Sequence, residues 1–235
     1  GCVRDDLRGQ TPDDFDVTTS ALPDETERAF AGDRVIETGL KHGTVTVLHG
    51  GFPVEITTYR TEGTYSDGRH PDSVSFTRSL AEDLRRRDFT VNAMAMDPDG
   101  TVCDYHGGQA DLAARLLRCV GEPEQRFRED ALRMLRACRF AAQLGFSIET
   151  QTWEALLRCA PLCAALSRER ITEEVGKTLL SPAPQWVGTM MESGLLAACG
   201  LSGSHDLSWL AALPQTAEAR WAGLGILLPE LDFAA

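Results

Sequence analysis

The stretch GCVRDDLRGQTPDDFDVTT, residues 1–19, decides how the rest of the chain is read. Phe15 to Thr19 is a short β-favouring run. Asp14 and Asp16 stand two apart, and a strand sends such residues to one face, so both carboxylates are expected on the same side. Like charges held that close repel, and a divalent cation is an efficient remedy. An Asp-x-Asp alone is common, and Asp13 and Asp14 could simply finish a turn after Pro12. The residues upstream weigh against that reading. Gly1 lets the backbone approach an anion, and Arg4, at the start of a predicted short helix, can reach it. A glycine turn with an Arg, two metal-binding acids on a strand and an Arg-rich helix further on together describe a nucleoside triphosphate site.

Outward from this stretch, the first hundred residues read as strands alternating with short helices. Pro23 to Phe30 starts with Pro and acids in its first turn, as helices do. Gly43 to Leu48 alternates Thr with Val and Leu, Gly50 and Gly51 make a turn, and Phe52 to Arg60 returns as a second strand, so a hairpin is predicted. Residues 61–75 (TEGTYSDGRHPDSVS) are polar and read as a long loop, and Ser79 caps a helix running to Arg87. Beyond Asp111 the text turns helical. Its best helix is predicted over Glu129 to Leu144, with Leu132, Leu135, Ala137 and Phe140 near one face and a row of arginines near another. Thr150 to Leu162, Arg168 to Leu180 and Gln185 to Ala198 are further predicted helices. The fold class is α+β, a mixed head followed by an all-α region.

Composition narrows the function classes. With 235 residues, 43% of them hydrophobic, the chain is neither disordered nor a disulfide miniprotein, and no window is apolar enough to span a membrane. The first stretch is charged and shows no export signal, so a cytoplasmic location is expected. Seven scattered cysteines with no zinc-knuckle spacing read as reduced core thiols, and the five histidines, at positions 42, 49, 70, 106 and 205, show no ligand spacing. The net charge of −12 argues against a sticky nucleic-acid coat. The cations are concentrated, however: residues 101–180 hold 11 basic against 11 acidic groups, and all but Lys41 and Lys177 of the 23 cations are Arg.

Residues 1–19 resemble the first motif of the class II tRNA nucleotidyltransferases, the CCA-adding enzymes, which sit in the polymerase β superfamily beside bacterial poly(A) polymerase. That motif opens on two glycines, of which Gly1 is the second, and family members continue into a body and tail, so the resemblance implies a chain truncated at both ends. RRDFTVNAMA (Arg86 to Ala95), REDALRMLRACRF (Arg128 to Phe140) and SRERITEE (Ser167 to Glu174) resemble the later motifs in order. The resemblance implies a polymerase β-like nucleotidyltransferase head over 1–107, a helical neck with the nucleobase-recognition helix over 108–182, and the start of a helical body over 183–235. It implies that Asp88 and Asn92 contact the ribose hydroxyls, that Gly1, Arg4 and Arg87 bind the triphosphate, and that Asp130 and Arg133 read the base. Arg136 and Arg139, continuing at spacing three, would support base and phosphates.

The base-reading role makes chemical sense. Cytosine and adenine both present an exocyclic amine beside a ring-nitrogen acceptor, so an acceptor Asp130 next to a donor Arg133 on one helix face admits C and A and refuses G and U. The competing reading is an ordinary solvated ion-pair face formed by Glu129, Asp130, Arg133 and Arg136. The implied chemistry is two-metal nucleotidyl transfer, with Asp14 and Asp16 as the catalytic acids holding Mg²⁺ and tRNA, CTP and ATP as partners. Glu55 is a candidate third carboxylate, or an exposed acid on a half-buried strand. Full CCA addition, partial CC or A addition and polyadenylation share these motifs. NAMAMD after RRDFT and the retained segment 60–75 favour full CCA addition. From another class, a non-catalytic tRNA- or nucleotide-binding module is the competing hypothesis.

Overall fold

The computed structural model describes residues 1–12, 14–63, 73–203 and 205–227. It divides into two compact units, Gly1–Leu112 and Ala113–Ala235. The first carries α1 (Cys2–Leu7), β1 (Asp16–Thr19), α2 (Pro23–Ala29), β2 (Arg34–Gly39), β3 (Thr44–His49) and β4 (Phe52–Thr58). It continues through β5 (Arg60–Glu62), β6 (Val74–Phe76), α3 (Leu80–Arg85), β7 (Met94–Met96) and β8 (Val102–Asp104), and α4 (Gly108–Ala113) leads out of it. A mixed sheet has the order β1-β4-β3-β2, with β1 parallel to β4 and the other pairs antiparallel.

Alternation along these strands separates two faces. Val45, Val47 and Ile56 are buried and pack with Phe30, Val35, Leu40 and Val54 into a core. Thr44, Thr46, Glu55 and Thr57 therefore point the other way. Gly50 and Gly51 adopt φ of +59° and +87°, the left-handed pair that a two-residue hairpin needs, and His49 and Phe52 close it. The edge strand β2 was not predicted from its sequence. Nor was the short hairpin at the ends of the expected 61–75 loop, where Arg60, Thr61 and Glu62 pair with Phe76, Ser75 and Val74. The middle of that loop, residues 64–72 with His70, lies outside the described residues, as does Asp13. Ser79 caps α3, its side chain accepting from the Glu82 amide at 3.4 Å. Phe89, Val91 and Ala93 are fully buried, and the Thr90 hydroxyl donates to Asp111 at 2.7 Å.

The second unit holds β9 (Leu116–Leu117), α5 (Pro123–Glu129), α6 (Leu132–Leu144), β10 (Ser147–Ile148), α7 (Thr150–Cys159), α8 (Arg168–Leu179), α9 (Trp186–Glu192) and α10 (Ala217–Leu227). The helix expected over 129–144 begins only at Leu132, as α6, and Glu129 instead ends a separate helix, α5. Asp130 is extended between them, at φ −147° and ψ 107°, because its carboxylate accepts from the Leu132 amide at 3.0 Å and competes with the helical bond. Helix α6 is buried nearly all round, with Arg133 and Arg139 each only 8% exposed, so its arginines do not form a solvated row. Gly145 stops it in the left-handed conformation. All seven cysteines are free, and burial pushes the Cys163 thiol up to about 12 and the Cys138 thiol up as well, so both stay protonated and inert at neutral pH. Among the described residues no helix is long and apolar enough to cross a membrane.

Candidate active site

A cleft of about 790 Å³ in the first unit is lined by Asp16, Thr18, Thr44 and Thr57 from the polar face of the sheet. Asp16 opens β1 and stands in register with Glu55 on β4, and neighbours paired in parallel share a face. Asp14 precedes the strand, so strand alternation does not set its direction as the sequence suggested. All three acids are exposed to solvent. Among the described residues no group of three or more His, Cys, Asp or Glu side chains is arranged to hold a metal ion by itself. The donor chemistry nevertheless fits Mg²⁺, which is commonly held by one or two carboxylates, the rest of its oxygen ligands coming from substrate phosphates and water.

Four arginines, Arg4, Arg60, Arg86 and Arg87, also line the cleft, together with Asp6 and Asp97. Gly1 caps α1 and is among the residues that line the cleft. Arg4 lines the cleft yet is 8% exposed, because its Nε and Nη2 donate to the Asp5 carboxylate at 2.9 and 2.7 Å and its Nη1 donates to Asn92 Oδ1 at 2.6 Å. Burial alone would raise the pKa of Asp5, but the Arg4 hydrogen bond and charge outweigh it and hold the carboxyl below its usual range. Asn92 Nδ2 in turn donates to Asp88 Oδ1 at 3.2 Å. A cation on one side and a carboxylate on the other leave the Asn92 amide one orientation. Asp88 itself is buried and also accepts from the Phe89 amide at 2.8 Å. Of the other arginines in the lining, Arg87 has its Nε buried with no hydrogen-bond partner among the described residues.

The second unit gathers a different set. The Asp130 carboxylate, displaced from the helix face, accepts from Arg170 Nη2 at 3.0 Å. Arg133 is held by Glu129 at 2.7 Å and donates to the Arg126 carbonyl at 3.1 Å. Asp130 and Arg133 thus do not pair as i,i+3 neighbours on one helix. They flank the α5–α6 junction, each with its own partner. The Arg136 and Arg139 guanidinium carbons lie 5.3 and 4.0 Å from the centroid of the Phe140 ring. Arg139 also donates to Glu174 at 2.5 Å and to Gln143 at 2.9 Å, tying α6 to α8. Sequence reading assigned no role to Arg60, Asp83 or Arg170. For Asp83 the spacing to Arg86 and Arg87 is a usable signal, whereas Arg170 is 40 residues from Asp130 and no local pattern joins them.

Residues 1–118 match the model of the poly A polymerase head domain. The chain belongs to this family. Poly(A) polymerase-type heads are polymerase β-like nucleotidyltransferases, and the mixed sheet described above is consistent with that fold. Residues 145–199 match a second model, the probable RNA- and SrmB-binding site of polymerase A. The chain is 49% identical over 233 residues to the CCA-adding enzyme of Geobacillus thermodenitrificans (strain NG80-2), covering 94% of this chain and 56% of that one. Among solved structures, it is similar to the CCA-adding enzyme of Bacillus stearothermophilus in complex with CTP. The TM-score is 0.86 and the identity 44%, over 97% of this chain and 57% of that one. The Thermotoga maritima CCA-adding enzyme complexed with tRNA matches at a TM-score of 0.70 and 25% identity, over 89% of this chain and 49% of that one. The chain thus spans little more than half the length of the relatives it matches.

Proposed function

We propose that the protein adds C, C and A to the 3′ end of tRNA from CTP and ATP, releasing pyrophosphate, without a nucleic-acid template. The observation that carries this reading is the cleft, whose lining brings Asp16 together with Arg4, Arg86 and Arg87. Carboxylates for a hard cation and guanidinium forks for phosphate are the groups a nucleotidyl transfer needs. The similarity to a CCA-adding enzyme solved with CTP supports it.

In this reading Asp14 and Asp16 hold Mg²⁺, which supplies activation of the attacking RNA 3′-hydroxyl and neutralisation of the leaving pyrophosphate. Gly1, Arg4 and Arg87 bind the triphosphate, and Asp88 and Asn92 hold the ribose, with Asn92 nearest the cleft and Asp88 fixing its amide. Asp130 and Arg133 choose the base, while Arg136 and Arg139 support base and phosphates. The functional division is a head over 1–107, a neck over 108–182 and the beginning of a body over 183–235. Such an enzyme works in the cytoplasm.

The test is a tRNA transcript ending before CCA, incubated with Mg²⁺, CTP and ATP, with products resolved at single-nucleotide length. Three added residues and a stop are expected. Asp14→Ala should abolish incorporation while retaining tRNA binding, and incorporation equal to wild type would refute the metal assignment. A ladder, a stop after two residues, or addition of A alone would replace full CCA addition by one of its relatives.

A further inference from the structure

Asp83 is the buried charge that the proposed chemistry leaves unused. Its side chain has no exposed surface, although it stands only three and four residues before Arg86 and Arg87. Helical spacing brings all three to one side of α3 and its C-terminal turn. Asp83 Oδ1 accepts from Arg86 Nε at 3.1 Å and from Arg86 Nη2 at 2.9 Å. Its Oδ2 accepts from Arg87 Nη2 at 3.4 Å. The backbone amide of Arg60, the first residue of β5, also donates to Oδ1 at 3.1 Å. The three residues that bind this carboxylate, Arg60, Arg86 and Arg87, all line the cleft, while Asp83 does not.

We propose that Asp83 is a positioning residue: from behind the cleft wall it fixes the Arg86 and Arg87 forks in the geometry that receives the phosphate chain of a nucleoside triphosphate. The assignment rests on the nucleotide-binding reading above. A buried carboxylate needs partners, and satisfying it with two guanidiniums immobilises both at their inner edges. An arginine can do this and still face a ligand, because its planar fork has five N–H donors and one carboxylate uses only some of them. The buried, unpartnered Nε of Arg87 is a donor that Asp83 does not take. A side chain that lost its anchor would have to be ordered when ligand arrives, and that entropy would be subtracted from affinity.

The sign of the effect makes the test sharp. Asp83 carries negative charge behind a polyanion site, so by Coulomb's law alone its neutralisation should tighten phosphate binding. Positioning predicts the reverse. In the full-length protein, Asp83→Asn should weaken inorganic tripolyphosphate by about ten- to a hundredfold, the order of a charge-assisted hydrogen bond. The same substitution should cost little more in an Arg87→Met background, since the two act on one contact. Unchanged or tighter tripolyphosphate binding, or full additivity in the double variant, would overturn the proposal. If Asp83→Asn does not fold, Arg86→Lys carries the test, because it keeps the charge and loses the fork. Weakened tripolyphosphate binding is expected there too, and wild-type affinity would overturn the proposal. Wild-type protein that binds neither tripolyphosphate nor CTP and ATP would refute the nucleotide reading itself and the proposal with it. Normal wild-type binding with an indifferent Asp83→Asn would refute the positioning alone.

Discussion

Glu174→Ala should be among the most damaging single substitutions in the second unit. Glu174 is 4% exposed and Arg139 8%, and the 2.5 Å bond between them joins α8 to α6 across 35 residues of sequence. Removing the carboxylate leaves a guanidinium enclosed by Phe140 and Gln143 with its main counter-charge gone. Breaking a buried pair from one side costs about 3–5 kcal/mol, against a total stability of roughly 5–15 kcal/mol for a domain. At this size that is a drop of roughly 10–20 °C in midpoint. Arg139→Met breaks the same pair from the other side and should also be destabilising. The double variant Arg139→Met with Glu174→Met should return to within about 1–2 kcal/mol of wild type, since apolar replacement of a whole buried pair is often neutral. All four tryptophans, Trp153, Trp186, Trp209 and Trp221, lie in the second unit, so urea unfolding followed by tryptophan fluorescence reports on that unit by itself. A loss below about 1 kcal/mol for Glu174→Ala, or a double variant worse than the sum of the singles, would refute the claim that this pair ties the helices together.

Three further outcomes are expected. Asp130→Ala and Arg133→Ala should relax base choice more than triphosphate affinity, and Arg170→Ala should shift base choice in the same direction as Asp130→Ala because it removes the partner that holds Asp130. Competition among the four nucleotides in single-turnover incorporation reads this, and unchanged discrimination would remove the base-reading role. Gly108→Ala should destabilise the first unit by about 1–3 kcal/mol, at the upper end, because its Cβ would collide with the Thr90 carbonyl oxygen, a backbone atom that cannot swing away; denaturant titration followed by circular dichroism measures it. Burial alone would raise the pKa of Asp104, but the backbone amides of Gln109, Gly108, His106 and Gly107 outweigh it and lower the carboxyl below its usual value. A lowered folded pKa contributes stability above the unfolded value near 3.9, and that contribution is lost as pH falls through the folded one. Asp104→Asn should therefore flatten the fall in stability below about pH 4, and an acid limb as steep as wild type would contradict it.

What was legible in the sequence was what local chemistry determines. Gly50-Gly51 between alternating runs specified a hairpin, and Ser79 before an acidic turn specified a cap, because the residues that make those features are also the residues that need them. The strand with Asp16 and the outward side chain of Glu55 followed from a period of two. The break at Asp130 did not, since EDALRML has helical propensity throughout and only the side chain's bond to the Leu132 amide diverts it. The burial of Arg133 and Arg139 was hidden for a different reason. A charge in an amphipathic text reads as a solvent face, and the Glu174 that makes Arg139's burial tolerable is remote in sequence. The strand pair β5–β6 is three residues long on each side, too short for any periodicity to register.

A chain with net charge −12 is on its face a poor vehicle for the two polyanions of the proposed reaction, a nucleoside triphosphate and an RNA. The arginines resolve the conflict by their placement. Arg4, Arg60, Arg86 and Arg87 converge on one cleft, and each of Arg4, Arg86 and Arg87 is also bound from behind by a carboxylate of its own unit. A lysine's single ammonium would be drawn wholly to such a partner, whereas a guanidinium bridges an inner carboxylate and an outer phosphate with different edges of one plane. The acidic surplus is then compatible with function. Some of its carboxylates are the anchors of the cleft, and those at the surface repel phosphate everywhere else. Attraction that is local and screened by salt, set in a field that is otherwise repulsive, favours one specific mode of phosphate binding over many loose ones. Replacing surface acids far from the cleft should for this reason raise non-specific RNA retention without improving triphosphate affinity, whereas any change that frees a cleft arginine from its carboxylate should do the opposite and harm the triphosphate first.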